Sequence, residues 1–326
     1  MHATPLVEAI KRAVPDSRII VASSGLASQV WEGNPHLQHL LSTPNPLIDP
    51  VGAFRALRHA ELFGGEQFVT LLTTGNERTK LTLSTWFTTR TKRIGFAVHR
   101  ALVQQHLTFD PALSQIENNL RLLPAAGIER APEACSEPRI YPVRGMSFAE
   151  NMLLPIPGPR IVLATQTSPT QRKSWLQDRW VELAHELHER YGAELIFIGT
   201  ESESNAIDEL RSRIAFRTTS IAGHTTIQEL AAVLARCDLG IMLDTGPLHV
   251  ARAMGLPAVI IAPAWSPVHE WLPTKNASYR ILKHADFPPP APADYVITEV
   301  STAEVLQAAE ELLIARLDTD AAFARR

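Results

Sequence analysis

The chain has 326 residues, about twice the size of an ordinary single domain, and its 45% hydrophobic and 20% charged residues exclude a disordered protein. A formal charge of −3, from 31 basic and 34 acidic residues, gives no general attraction to nucleic acid, and two cysteines, Cys135 and Cys237, are too few for a disulfide scaffold or a four-cysteine zinc site. No apolar run approaches the ~20 residues of a membrane span and the N-terminus has no apolar signal core, so a soluble, cytoplasmic, two-domain protein is expected.

In chain order, Leu6, Val7, Ile10 and Val14 fall at helical spacing before Pro15 and Asp16. Arg18–Ala22 and Phe68–Leu72 are short runs of strand composition, Arg93–Phe96 starts another strand, and residues 116–123 read as a helix stopped at Gly127. Strands alternating with helices imply a parallel sheet with crossover helices. Between Arg78 and Arg100 lie Arg78, Lys80, Arg90, Lys92, Arg93 and Arg100, with no acidic residue among them. Such a run is either a solvated basic surface or a wall that receives a phosphorylated acceptor.

Residues 144–160 carry prolines and glycines without a period and read as a linker, so the domains are set at 1–150 and 151–326. In the second domain Ile161–Thr165, Glu194–Gly199, Leu239–Leu243 and Ala258–Ala262 are strands. A helix between the first two puts Trp180, Leu183, Ala184, Leu187 and Tyr191 on one face and stops at Gly192. Helices are also expected over Thr226–Ala235 and His249–Met254, and Ser301 with Glu304 makes a capping box before a helix that runs to about Leu317. The pattern is a Rossmann-like βαβ array, which binds ligands at the carboxyl ends of its strands.

Three loops after strands carry chemistry. The first holds hydroxyls at Thr167, Ser168 and Thr170 and the cation Lys173. Glu203, in the second, can accept hydrogen bonds from ribose hydroxyls. The third is Asp244-Thr245-Gly246 followed by His249, where a glycine lets backbone amides approach a phosphate at a helix start. Taken singly, each has a plain structural reading: a solvated lysine, a surface glutamate, a capped strand-end turn, a core histidine. Their joint appearance after three strands of one sheet points to a diphosphate cradle. No GxGxxG, GxxxxGK[ST], GxSxG, HExxH or CxxC pattern is present, which argues against the usual dehydrogenase, P-loop, hydrolase-elbow and metal chemistries. The DxD at Asp318–Asp320 lies in the C-terminal tail and reads as chance.

Asp244–Ile261 resembles the signature of glycosyltransferase family 9, the ADP-heptose:lipopolysaccharide heptosyltransferases, with Asp244, Thr245, Gly246, His249, Ala251, Ala253 and Pro257 in place. The segment from Lys173 to Leu187 is similar to a second family motif, although Leu176 stands where proline is usual. Further landmarks are Gly199–Glu203, Ile221–Asp238 and, in the first domain, Thr4–Ile19, Glu32–Leu37, Thr91–Phe96 and Asn118–Ile128. The resemblance implies a GT-B fold, two Rossmann-like domains facing across a cleft, with the donor on the second and the acceptor on the first. It implies inverting transfer of a heptosyl unit from ADP-heptose to the lipopolysaccharide inner core, without a metal or cofactor. Ser168, Lys173, Asp244, Thr245, Gly246 and His249 would meet the donor diphosphate, and Glu203 and Thr225 the nucleoside. The basic run would meet the phosphorylated acceptor, with peripheral contact at the inner membrane.

The family's opening strand and its glycine–aspartate pair, the source of the expected general base, would fall just before Met1, so no catalytic base is assigned. A different start, another base or a binding-only relative each account for this, and a GT-B sugar-nucleotide epimerase is a further alternative. A missing first strand would leave neighbouring strand edges unpaired.

Overall fold

The computed structural model of the chain describes residues 1–46, 48–64, 68–74, 82–83, 91–97, 99–129, 136–153, 156–168, 172–284, 291–292 and 294–324. They form two compact units, Met1–Tyr141 and Pro142–Arg326, whose strands are all parallel.

The first unit opens with the expected helix, Thr4–Ala13. Leu6 and Ala9 bury against Ile94, Phe96, Ile116, Leu120, Leu122 and Leu123, while Val14 has left the helix and is exposed. Its strands are β1 Ile20–Ser23, β2 His39–Ser42, β3 Phe68–Leu72, β4 Thr91–Gly95 and β5 Gln105–His106. They form two sheets, β1-β2 and β3-β4-β5, rather than one. Among the described residues β1 pairs with β2 in parallel, and β3 with β4. The helix read over 116–123 is two short helices, Gln115–Leu120 and Leu122–Ala125. Pro124 has no N–H for the carbonyl of Leu120, so the first helix cannot run on. Asn118 and Asn119 are buried and act as staples. Asn118 Nδ2 donates to the carbonyls of Asp110 (2.9 Å), Leu113 (3.3 Å) and Ser114 (3.2 Å), and Asn119 Oδ1 accepts from Thr74 N at 2.7 Å.

The region read as a linker is instead partly helical. Met146–Met152 is a helix of the second unit; it packs on the helix Ile227–Leu234 and buries Ala149. Arg236 holds Glu150 at 2.9 Å. The division between units therefore falls at Tyr141–Pro142, nine residues before the boundary read from the sequence. A Cβ on Gly145 would overlap the backbone carbonyl of Gln228, so only glycine allows this approach.

The second unit is one six-stranded sheet: β6 Arg160–Ala164, β7 Glu194–Phe197, β8 Thr219–Ser220, β9 Leu239–Leu243, β10 Ala258–Ile261 and β11 Tyr279–Leu282. The spatial order is β11-β10-β9-β6-β7-β8, so the chain reverses direction across the sheet between β6 and β9. That is the doubly wound order whose switch point opens a ligand crevice. β6, β9 and β10 are buried on both faces, as an apolar run flanked by helices requires. The helix Gln177–Tyr191 lays Trp180, Leu183, Ala184 and Leu187 on the sheet, all fully buried, and ends at Gly192 with φ +61°. Trp175 meets Trp180 edge to face at 4.9 Å and donates its indole N–H to Val300 O at 2.9 Å. The final helix, Thr302–Ala324, begins at the Ser301–Glu304 capping box and runs past its expected end.

Replacing Gly145 with alanine should lower the unfolding free energy by about 1–3 kcal/mol through overpacking against Gln228, measurable by urea denaturation. An unchanged midpoint would show that the contact yields freely.

Candidate functional site

The carboxyl edge of the second sheet brings Lys173 to the turn at Asp244–Gly246, two of the parts expected at the diphosphate. β6 and β9 are direct neighbours, with Ala164 opposite Met242, so the loop after β6 and the turn after β9 leave the sheet side by side. Lys173, 71 positions before Asp244, reaches it there: its ammonium lies 2.7 Å from Asp244 Oδ2 and 3.4 Å from Asp244 O. Asp244 is buried and also accepts from Ser266 Oγ at 3.5 Å. Asp244 thus holds the lysine ammonium at the carboxyl edge of the sheet.

Thr245 has the extended backbone of an N-cap, yet its side chain makes no capping bond; Oγ1 lies 3.4 Å from Leu243 O instead. The helix Gly246–Ala253 thus starts three residues earlier than expected, with Gly246 exposed in its first turn. A Cβ built on Gly246 would meet nothing within 4 Å, so the space beside it is open. The start of a helix concentrates partial positive charge and unsatisfied N–H groups. Together with Lys173 it forms an anion-attracting corner at the switch point.

His249, one turn along that helix, is half-buried with Nδ1 shut from solvent. Burial first, then the charges of Arg252 and Lys173, lowers its pKa to about 3. It is neutral at neutral pH and can offer a hydrogen bond but no charge. Ser168, in the loop after β6, is exposed. Thr170 lies outside the described residues.

The two residues expected at the nucleoside lie on the other arm of the sheet. Glu203 Oε2 accepts from Thr200 N at 2.7 Å and closes a capping box at Glu201–Glu203, just ahead of the helix Ser204–Ser212. One of its oxygens is therefore committed to the fold. Thr225 is half-buried, beside the N-cap Thr226 of the next helix. The loops after β7 and β8 are tied by Gly223 N donating to Gly199 O at 3.1 Å. Gly223 has φ +77° and would carry a Cβ only 2.8 Å from Glu201 Cα. Strands are spaced by about 4.8 Å, so β7 stands about 10 Å from β9, and the edge has room for an extended ligand between the two groups.

The loop after β10 was missed in the sequence, although it leaves the same edge. Trp265 lies under the lysine, with Lys173 Nζ 5.6 Å from its ring centroid, and Ser266 reaches Asp244. Its position after the fourth strand of the array was the available signal.

Of the basic run, Arg78, Lys80 and Arg90 lie outside the described residues. Lys92 and Arg100 are exposed. Arg93 is not part of a basic wall: it is buried at 7% exposure, its Nε donates to Leu102 O at 3.2 Å, and burial lowers its pKa. Neighbouring residues of a strand face opposite ways, so within β4 Lys92 points outward and Arg93 inward.

Among the described residues there is no cluster of three or more His, Cys, Asp or Glu side chains of the kind that holds a metal, and no helix is long and apolar enough to cross a membrane.

A two-unit α/β chain with parallel sheets and an anion-attracting corner at the switch point of the second sheet has the architecture of a GT-B glycosyltransferase. The description of glycosyltransferase family 9 (heptosyltransferase) matches residues 59–280, more than half of the chain, and the chain belongs to that family. A glycosyl transferase of family 9 from Veillonella parvula superposes with a TM-score of 0.80 at 18% identity, covering 96% of this chain and 93% of its own. ADP-heptose LPS heptosyltransferase II of Escherichia coli gives 0.76 at 17%, covering 96% and 95%. The lipopolysaccharide core heptosyltransferase OpsX of Haemophilus influenzae is 28% identical over 100 residues, a stretch that spans 30% of this chain and 28% of that protein.

The lowered pKa of His249 sets a pH dependence. The unfolded chain binds the proton near pH 6.5 and the folded one only near pH 3, so stability is full above about 6.5 and is lost as pH falls through that interval. The loss reaches at most about 1.4 kcal/mol per pH unit. His249→Asn should flatten this slope in urea titrations at pH 7 and pH 5; equal slopes for the two proteins would assign the acid sensitivity to other groups.

Proposed function

We propose that the chain transfers a heptosyl unit from ADP-heptose to the inner core of lipopolysaccharide, with inversion at the anomeric carbon and without a metal ion. The observation that carries this reading is the convergence of Lys173 and the N-terminus of the helix Gly246–Ala253 at the switch point of the sheet. Membership of a family of heptosyltransferases supports the sugar and the acceptor class. ADP as the nucleotide follows from the family resemblance alone.

In this reading an acceptor hydroxyl oxygen attacks the anomeric carbon on the face opposite the diphosphate. The bond from that carbon to the diphosphate oxygen breaks, the hydroxyl proton passes to a base, and ADP departs. Negative charge grows on the leaving oxygen as the bond lengthens. The lysine ammonium, held by Asp244, and the amides at Gly246 and beyond stabilise that charge in the transition state more than in the bound donor, and this difference lowers the barrier. A positive charge so placed does at the leaving group what a divalent cation does elsewhere, which supports metal independence. Glu203 and Thr225 serve the ribose and base side. Lys92 and Arg100, with Arg78, Lys80 and Arg90, serve the phosphorylated acceptor, and an acceptor at the inner leaflet accounts for a cytoplasmic enzyme in peripheral contact with that membrane.

The test is calorimetric titration with ADP, UDP and GDP, followed by turnover with ADP-heptose and deacylated core. ADP should bind preferentially and be released as product from ADP-heptose. Binding without turnover would identify a nucleotide-sugar-binding protein, and no nucleotide binding would remove the donor site.

Lys173→Ala should weaken ADP binding by ~1.5–3 kcal/mol, the scale of a charge-assisted hydrogen bond. That variant leaves Asp244 buried without its cation, so affinity is read at a temperature where its circular dichroism matches the unaltered chain. Unchanged affinity would take Lys173 out of the site. Gly246→Ala separates ligand approach from folding, because the added methyl meets no protein atom within 4 Å. Thermal stability should stay within about 0.5 kcal/mol and ADP affinity should drop. Retained affinity would show that the ligand does not come close to this glycine.

A further inference from the structure

Lysine carries its charge on a four-carbon stem with several freely rotating bonds, so a lysine that must meet a diphosphate in one place needs to be held there. The ion pair with Asp244 fixes the tip of Lys173 but not its root. The root lies in a loop, between Arg172 and Ser174, and both neighbours are tied. Ile297 N donates to Ser174 O at 2.8 Å. The indole N–H of Trp265 donates to Arg172 O at 3.2 Å. The same indole stands 5.6 Å from the Lys173 ammonium, within the range at which a ring face attracts a cation. One side chain thus grips the lysine at both ends.

The indole is itself held. Ala264 N donates to the Tyr295 hydroxyl at 3.1 Å, and Ser266 N to Pro263 O at 3.1 Å. Lys283 Nζ donates to Ser266 O at 2.9 Å, and the buried Ser266 hydroxyl reaches the carboxylate that pairs with Lys173. The loop Pro263–Ser266 therefore contacts both members of the ion pair and is anchored from strands and segments on its other side. Arg172 adds a second sign of over-determination: it is the one non-glycine residue with positive φ among those described, at +53°. A left-handed backbone conformation at so bulky a residue persists only where surrounding bonds insist on it. Here the indole bond and the contact of the Arg172 guanidinium with Ala291 O supply the insistence.

We infer that Trp265 is a positioning residue for Lys173: it orders the lysine before the donor arrives, so that binding and leaving-group stabilisation do not have to meet the cost of ordering it. This rests on the donor-site reading above. Trp265 is not itself assigned a contact with substrate.

The experiment is a double-mutant cycle on ADP affinity, by calorimetry, with Trp265→Leu, Trp265→Phe, Lys173→Ala and the pair Trp265→Leu/Lys173→Ala in the full chain. Trp265→Leu, which removes ring and N–H, should weaken ADP binding by about twofold to thirtyfold, the span of a cation–π contact from exposed to desolvated. Trp265→Phe keeps a ring without the indole donor and should fall between. On the Lys173→Ala background Trp265→Leu should have no further effect, since the residue it serves has gone. A merely structural tryptophan would weaken binding by the same factor on both backgrounds. Equal factors, or a Trp265→Leu affinity equal to that of the unaltered chain, overturn the inference. If Trp265→Leu does not fold, the cycle is run with Trp265→Phe and the same two outcomes decide it. Absence of ADP binding by the unaltered chain would overturn the donor-site reading itself, whereas ADP binding that depends on Lys173 but not on Trp265 overturns only this step.

Discussion

The second unit is organised around a buried aspartate and the half-buried lysine that meets it. Asp244 has 4% of its surface exposed, and an isolated carboxylate at that depth would cost several kcal/mol of lost hydration. The ammonium of Lys173 at 2.7 Å offsets that cost, and it arrives only because β6 and β9 are neighbours although the chain between them makes two further strands. Topology and charge pairing are thus one constraint: the sheet order brings the pair together, and the pair fixes the loop after β6 to the turn after β9. Since the two charges nearly cancel, the proposed donor site rests on direction more than on net charge: an ammonium whose orientation is set and a helix start that faces open space.

The rest of the carboxyl edge is rigidified by inexpensive local devices. Capping boxes at Thr200–Glu203 and Thr226–Glu229 begin the elements that follow β7 and β8, and the close pair Gly199–Gly223 joins those two loops. Glu203 is an instance of a side chain with both a structural and a candidate binding task. Its Oε2 closes the box, and the ribose reading concerns what remains of the carboxylate. Such sharing suits a binding loop, because the bond that orders the loop also orders the group that meets the ligand.

The sequence was most legible where periodicity and burial coincide. The helix from Gln177 to Tyr191 shows its buried face and its glycine stop in plain text, and β9 and β10 read as unbroken apolar runs because they are covered on both sides. The adjacency of Lys173 and the turn at Asp244–Gly246 was legible too, since both follow strands of one parallel sheet. What could not be read was set by contacts remote in sequence. That Asp244 is held by Lys173 shows only once β6 and β9 lie side by side. Arg93 looks like one more surface cation until β4 turns it inward. The helix Met146–Met152 was hidden by the prolines that follow it, and its partner is eighty residues further on. Trp265 stands in a stretch without period, and nothing local announces that its ring faces a lysine.

The left-handed turn at Arg172 has a consequence for anyone who engineers this chain. Glycine and asparagine reach that conformation at lower cost than arginine. A library selected for heat resistance alone is therefore drawn towards them at position 172, and each such gain discards the guanidinium that reaches Ala291. The lysine one residue along then loses part of its footing. Relief of backbone strain and retention of the contact that steadies the lysine thus pull this position in opposite directions.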